Sequence, residues 1–88
     1  MAYTTVPPNT DQAIPLPAPD GKWHWSMVCD FDPTKVRFAV GGAGQWRRIE
    51  EVQLAPGTPI VDVVQPGDAM LSVVNSGPRA VGVLLHRR

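Results

Sequence analysis

Eighty-eight residues make one small domain, and a chain of that size buries only about 60% of its unfolded surface, so its core is modest. Eight Lys+Arg balance eight Asp+Glu, a formal net charge of zero, which argues against a dedicated nucleic-acid binder. Cys29 is the only cysteine, which excludes an intramolecular disulfide and a zinc site built from cysteines.

The chain opens with Met1 and no basic, apolar, small-residue run follows, so no signal peptide is read. No apolar stretch is long enough to cross a bilayer as a helix. The expectation is a complete small protein made in a cytoplasm. Residues 1–21 then hold five prolines, Pro7, Pro8, Pro15, Pro17 and Pro19. Proline lacks a backbone donor and resists helix interiors and central strands. With Tyr3, Val6, Ile14 and Leu16 scattered among them, the segment reads as an extended arm of partly polyproline II character. Either the arm docks its few apolar residues on a neighbouring subunit or it is an unstructured terminus.

Asp20-Gly21 signals a turn, and residues 22–88 read as the domain proper. From Lys22 to Phe31, Trp23, Trp25, Met27, Cys29 and Phe31 share one face and Lys22, His24, Ser26 and Asp30 the other. Period-two alternation of this length is a half-buried strand. Asp32-Pro33-Thr34-Lys35 turns the chain, and Val36, Phe38 and Val40 face one side of the next strand. Gly41-Gly42-Ala43-Gly44 reads as a hairpin tip. In Gln45–Leu54, Trp46, Ile49 and Val52 recur every third residue. That spacing fits two turns of amphipathic helix, or a strand with a bulge near Ile49.

Val-rich runs at Pro59–Val64, Ala69–Asn75 and Arg79–His86 complete the chain. They are separated by Ala55-Pro56-Gly57-Thr58, Gln65-Pro66-Gly67-Asp68 and Asn75-Ser76-Gly77-Pro78. Proline presets φ at the second position of a turn and glycine supplies positive φ at the third. The alternation of short strands and tight turns is that of an antiparallel meander. A ten-residue offset relates Pro56, Gly57, Val63 and Val64 to Pro66, Gly67, Val73 and Val74, as strands of equal length would produce. The last three strands are apolar on both faces, so a second layer is expected to cover the outer one. The expected fold is all-β: a small antiparallel sandwich or jelly-roll-like barrel of about six strands, preceded by the Pro-rich arm.

Chemistry-bearing motifs are sparse. His24 and His86 lack metal-ligand spacing with Cys29, Asp30 or Asp32. Asp30-Phe31-Asp32 lacks the glycine and distal glutamate of a calcium loop. Ser26, Ser72 and Ser76 lie outside any nucleophile elbow, and the 41–44 glycines lack the Lys-Ser/Thr of a phosphate loop. No catalytic residue, cofactor or metal is expected. Val6, Pro7, Pro8, Ile14, Leu16, Val63 and Val83 are the expected subunit or particle contacts. An alternative function is a carbohydrate-binding module with Trp23 and Trp25 as its platform, with His24 or Asp30 nearby. An oligonucleotide-binding barrel fits the size but not the charge.

In its Pro-rich start, its Pro-Gly turns and its terminal Val-Gly-Val-Leu-Leu strand, the chain resembles small phage virion proteins, in particular capsid decoration (cement) proteins. That resemblance implies a β-sandwich body with a docking arm and a homo-oligomer, often a trimer. It implies a capsid or other large-assembly protein as partner and a place in the virion; separately, the lack of a long apolar stretch gives no expectation of a membrane partner and the neutral charge argues against a nucleic-acid one.

Overall fold

The computed structural model describes residues 2–17, 22–30, 32–42 and 44–87. The expected Asp20-Gly21 turn, and Phe31 and Ala43, lie outside the described residues. Eight strands follow one another: β1 (Ala2–Val6), β2 (Thr10–Pro15), β3 (Trp23–Cys29), β4 (Thr34–Gly42), β5 (Gln45–Leu54), β6 (Ile60–Val63), β7 (Met70–Asn75) and β8 (Val81–Arg87). They form two four-stranded antiparallel sheets, here called A, with order β1-β8-β3-β6, and B, with order β2-β7-β4-β5. Every link except β4–β5 crosses from one sheet to the other. These orders are those of an eight-stranded jelly roll, two interleaved Greek keys.

The expected all-β sandwich is therefore the fold, with two more strands than the six expected. The extra pair lies in the Pro-rich start. Residues 2–15, expected as an arm outside the domain, contribute one strand to each sheet, β1 beside β8 and β2 beside β7. The prolines permit this because of where they stand. Pro7 and Pro8 occupy the corner between sheets, where Asn9 takes a positive φ of 58°, a conformation asparagine tolerates. Pro15 ends β2, an edge strand, where a missing donor matters least.

The meander expected from the last strands is also corrected, because β6, β7 and β8 do not pair with one another. The 55–58 and 65–68 turns do form, with Thr58 N–H donating to Ala55 C=O (3.2 Å) and Asp68 N–H to Gln65 C=O (2.9 Å). Gly57 and Gly67 take φ of 80° and 93°. These turns throw the chain across the sandwich instead of closing hairpins. The two-faced apolarity of β7 and β8 follows in part. Each is a central strand with neighbours on both sides, and its inward residues (Leu71, Val73; Val81, Val83, Leu85) fill the core.

The inner faces interlock as the alternation of β3 and β4 requires. Trp25, Met27 and Cys29 of sheet A meet Val36, Phe38 and Val40 of sheet B in one buried cluster. Trp25 and Phe38 pack edge to face across the layers, ring centroids 5.4 Å apart, a favoured aromatic geometry. One buried polar group organises the end of the sandwich. Asn75 is fully buried; its Nδ2 donates to Val6 C=O (3.0 Å) and Arg79 C=O (2.7 Å). Its Oδ1 accepts from the Thr34 hydroxyl (3.1 Å) and from Gly77 N–H (2.9 Å). One side chain thus ties β1, β4 and the turn before β8.

Candidate assembly surface

Segment 45–54 is a strand, as the bulge reading required, and its bulge falls two residues before the expected place. Val40 faces Arg48 while Gly41 faces Trp46, so Arg47 is the extra residue. Gly41 makes the bulge possible: a Cβ there would lie 2.3 Å from the Gln45 carbonyl oxygen and 2.8 Å from Trp46 Cα, distances no side chain sustains. Because of the extra residue, Arg47 and Arg48 both reach toward sheet A while Trp46 and Ile49 share the outer face of sheet B.

A charge network closes the sandwich along β5 and β6. Arg47 forks onto Asp68, Nη2 at 2.8 Å and Nε at 3.0 Å, and also reaches Asp62 Oδ2 at 3.2 Å. Arg48 donates to Asp62 Oδ2 at 3.1 Å, pairs with Glu50 and lies over the Phe38 ring, 5.1 Å from its centroid. Asp68 also accepts Gln65 N–H at 3.0 Å, locking the turn. Hydrogen bonds to Asp68 raise Arg47 above the usual guanidinium range, against the opposing effect of burial. Burial by itself would raise Asp62; the Val63 N–H and the two guanidiniums outweigh it and hold its carboxyl below the ordinary range. A bidentate, partly buried pair of this kind fixes geometry as well as charge.

Strand register sorts the outer face of sheet B into rows. Pro15, Met70, Gly41 and Trp46 face one another across the four strands, and Ala13, Ser72, Ala39 and Ile49 form the next row. The third row is Asp11, Val74, Arg37 and Glu51. Two rows are small or apolar and the third is charged. Trp46 (42% exposed), Ile49 (53%) and Met70 (40%) stand out from the first two. A depression of about 250 Å³ lies between Arg37, Ala39, Trp46, Ile49, Ser72 and Val74. A groove of about 620 Å³ runs past Trp46 to Pro66 and Gly67.

The expected contact residues lie largely elsewhere. Val6, Ile14 and Val83 are buried in the chain's own core, because the segment read as an arm is part of both sheets. They cannot meet a neighbour without unfolding. Pro7 and Pro8 are exposed at the β1–β2 corner, and Leu16 packs half-buried against the core. Val63 is half-buried on the outer face of sheet A. It faces His24 in the ladder, and His24 stacks on His86 (5.4 Å between ring centroids). The platform expected of Trp23 and Trp25 does not form: Trp25 is fully buried and Trp23 packs against the core. The exposed indole is Trp46. Its threefold spacing with Ile49 resembled a helix face; the three Gly41-Gly42-Gly44 glycines before it were the sign that a bulge could restore strand register.

No described protein family and no curated protein matches the chain in sequence. In fold it is similar to a solved structure reported under the words "Bacillus endospore appendages form a novel family of disulfide-linked pili". The two share 10% identity over 98% of this chain and 85% of that one, at a TM-score of 0.53. At that identity the likeness is one of fold.

Proposed function

We propose that this chain is a non-enzymatic structural subunit that associates with copies of itself and seats on a large protein assembly through the outer face of sheet B. The carrying observation is the pair of small and apolar rows with Trp46, Ile49 and Met70 exposed above them. A smooth apolar face beside a charged row has the composition of an interface centre and its rim. A fold neighbour that builds pili is in keeping with a self-assembling part. Disulfide linkage is not available to this chain, since a linear polymer needs two cysteines per subunit. Its single cysteine is buried, Sγ 3.3 Å from Leu54 C=O. The finer reading is a phage capsid decoration protein, carried in the virion and stiffening its lattice.

The test is sedimentation of native-source lysate, followed by the same measurement on Ala13→Glu/Met70→Glu chain. Both positions are exposed on the outer face, away from β5. Wild-type chain is expected with megadalton particles and the folded variant in light fractions. A wild type confined to light fractions, or a variant that sediments as wild type does, refutes the reading.

A further inference from the structure

We infer that β5 is a self-complementary edge strand through which two copies of this chain join, antiparallel, about a two-fold axis at Ile49. The inference rests on the self-association in the reading above but concerns a different surface, the free edge of sheet B. Among the described residues β5 is the longest strand, ten residues, and pairs on one side only, with β4. An unpaired row of backbone donors and acceptors is a template for another strand.

The sequence along this edge is Gln45-Trp46-Arg47-Arg48-Ile49-Glu50-Glu51-Val52-Gln53. Read outward from Ile49, it is palindromic in character and reversed in charge. Set antiparallel against a second copy and centred on Ile49, Arg48 faces Glu50 of the second copy, and Glu50 faces its Arg48. Past the bulge at Arg47, Trp46 faces Glu51 on the outer face and Gln45 faces Val52 on the inner one. Facing residues in an antiparallel ladder share a face, so a symmetric pairing must centre on one residue. Centring on Arg48 sets that arginine against itself, and centring on Glu50 sets that glutamate against itself. Like charges directly opposite are destabilising. Of the three central registers, only the one at Ile49 joins opposite charges.

The geometry of the fold agrees. Arg48 and Glu50 share the inner face and already touch within one chain. Two copies would therefore place Arg48, Glu50, Arg48 and Glu50 in a square of alternating charge around the axis. The two Ile49 side chains, each 53% exposed, would meet on the outer face. The bulge at Arg47 shifts facing by one residue but keeps the strand running. Arg47 stays on Asp62 and Asp68 of its own chain, and residues 46 and 45 lie along the 51–52 end of the second copy. The axis is normal to sheet B, so the outer face continues into an eight-stranded sheet that doubles the apolar rows. A dimer docking through both halves gains avidity.

Two measurements test this. First, Ile49→Cys and Gln53→Cys chains are oxidised mildly. Facing Cα atoms on such an axis are about 4.5–5.5 Å apart, within disulfide reach; two Gln53 positions are eight residues apart along the ladder, about 27 Å. Ile49→Cys is expected to cross-link to twice the 9.5 kDa of one chain, and Gln53→Cys alone is not. Trp46→Cys mixed with Glu51→Cys, both exposed on the outer face, is expected to give the mixed dimer. Second, Arg48→Glu and Glu50→Arg are each expected to weaken the dimer at least about tenfold in analytical ultracentrifugation. Mixing the two restores opposite charges across the edge, and a heterodimer returns. Loss of an interaction within one chain is not rescued in this way. A monomeric wild type, equal cross-linking of Ile49→Cys and Gln53→Cys, or folded charge variants that stay monomeric when mixed overturns the inference. A larger wild-type species untouched by all these changes overturns the edge pairing and leaves the docking face standing.

Discussion

Asn75→Ala should be among the most damaging single changes in this chain, although nothing about its Asn-Ser-Gly-Pro context announces that. Truncation removes four hydrogen bonds, to Val6 C=O, Arg79 C=O, the Thr34 hydroxyl and Gly77 N–H. Two of the partners have a way out. Arg79 is exposed, so water can reach its carbonyl, and Thr34 can turn to that same carbonyl, already 3.4 Å away. Val6 and Gly77 are buried and lose their Asn75 partner. Each unsatisfied buried group costs about 1–3 kcal/mol, so the sum is about 2–6 kcal/mol. A domain of this length holds about 4–13 kcal/mol in total. At about 4–8 °C per kcal/mol, the midpoint should fall by at least about 8 °C. The assay is thermal and urea unfolding followed by emission of the buried Trp25, at fixed protein concentration because association shifts apparent stability. Ser76→Ala, next door and exposed, is the control and should stay within about 0.5 kcal/mol. If Asn75→Ala unfolds within a few degrees of Ser76→Ala, the tie is not what holds β1, β4 and the 77–79 turn together.

The charge network makes stability depend on acid in a defined direction. Asp62 has a lowered folded-state pKa, so the unfolded chain takes up its proton first. Its contribution is complete above the ordinary Asp value of about 3.9 and is lost as pH falls through the lowered value. Asp62→Asn should flatten that acid limb of the urea midpoint against pH and cost about 1–2 kcal/mol at neutral pH; an unchanged acid limb would remove Asp62 from the account. Burial, and secondarily the charge of Asp30, pushes the Cys29 thiol up. Its reaction with a thiol reagent should be at least about a thousandfold slower in the folded chain than in urea at equal pH. Labelling within tenfold of the unfolded rate would show the thiol to be accessible.

Six strands were legible in the sequence because their signals are local. β3 alternates cleanly, and each Pro-Gly turn sits where the chain reverses. β1 and β2 were hidden by proline, which reports what a residue cannot do in a central strand and says nothing of an edge or a corner. Pro15 at the end of an edge strand and Pro7-Pro8 at a sheet crossing break no ladder. Sheet order was hidden for a different reason. A Pro-Gly turn between two Val-rich runs has the same sequence whether it closes a hairpin or swings over the edge of a sandwich. What decides is long-range: β8 can lie between β1 and β3 only because the first strand is there to receive it. Two causes misplaced the contact residues. Val6 and Ile14 belong to the segment that reads as an arm and face the core from β1 and β2, and Val83 faces the same core because both faces of β8 are apolar and the alternation does not say which one points inward.

The charges of β5 show how one stretch can serve two opposed needs. Arginine and glutamate along an exposed edge ordinarily keep other strands away, and here they face like against like in the registers centred on Arg48 or Glu50. The same residues, ordered Arg-Arg-Ile-Glu-Glu, become attractive when the register centres on Ile49. Shuffling them within β5 would keep composition, net charge and the general protection of the edge. It would abolish the single register in which two copies fit. Specificity on this edge therefore lies in the order of the charges, and their number alone would give only solubility.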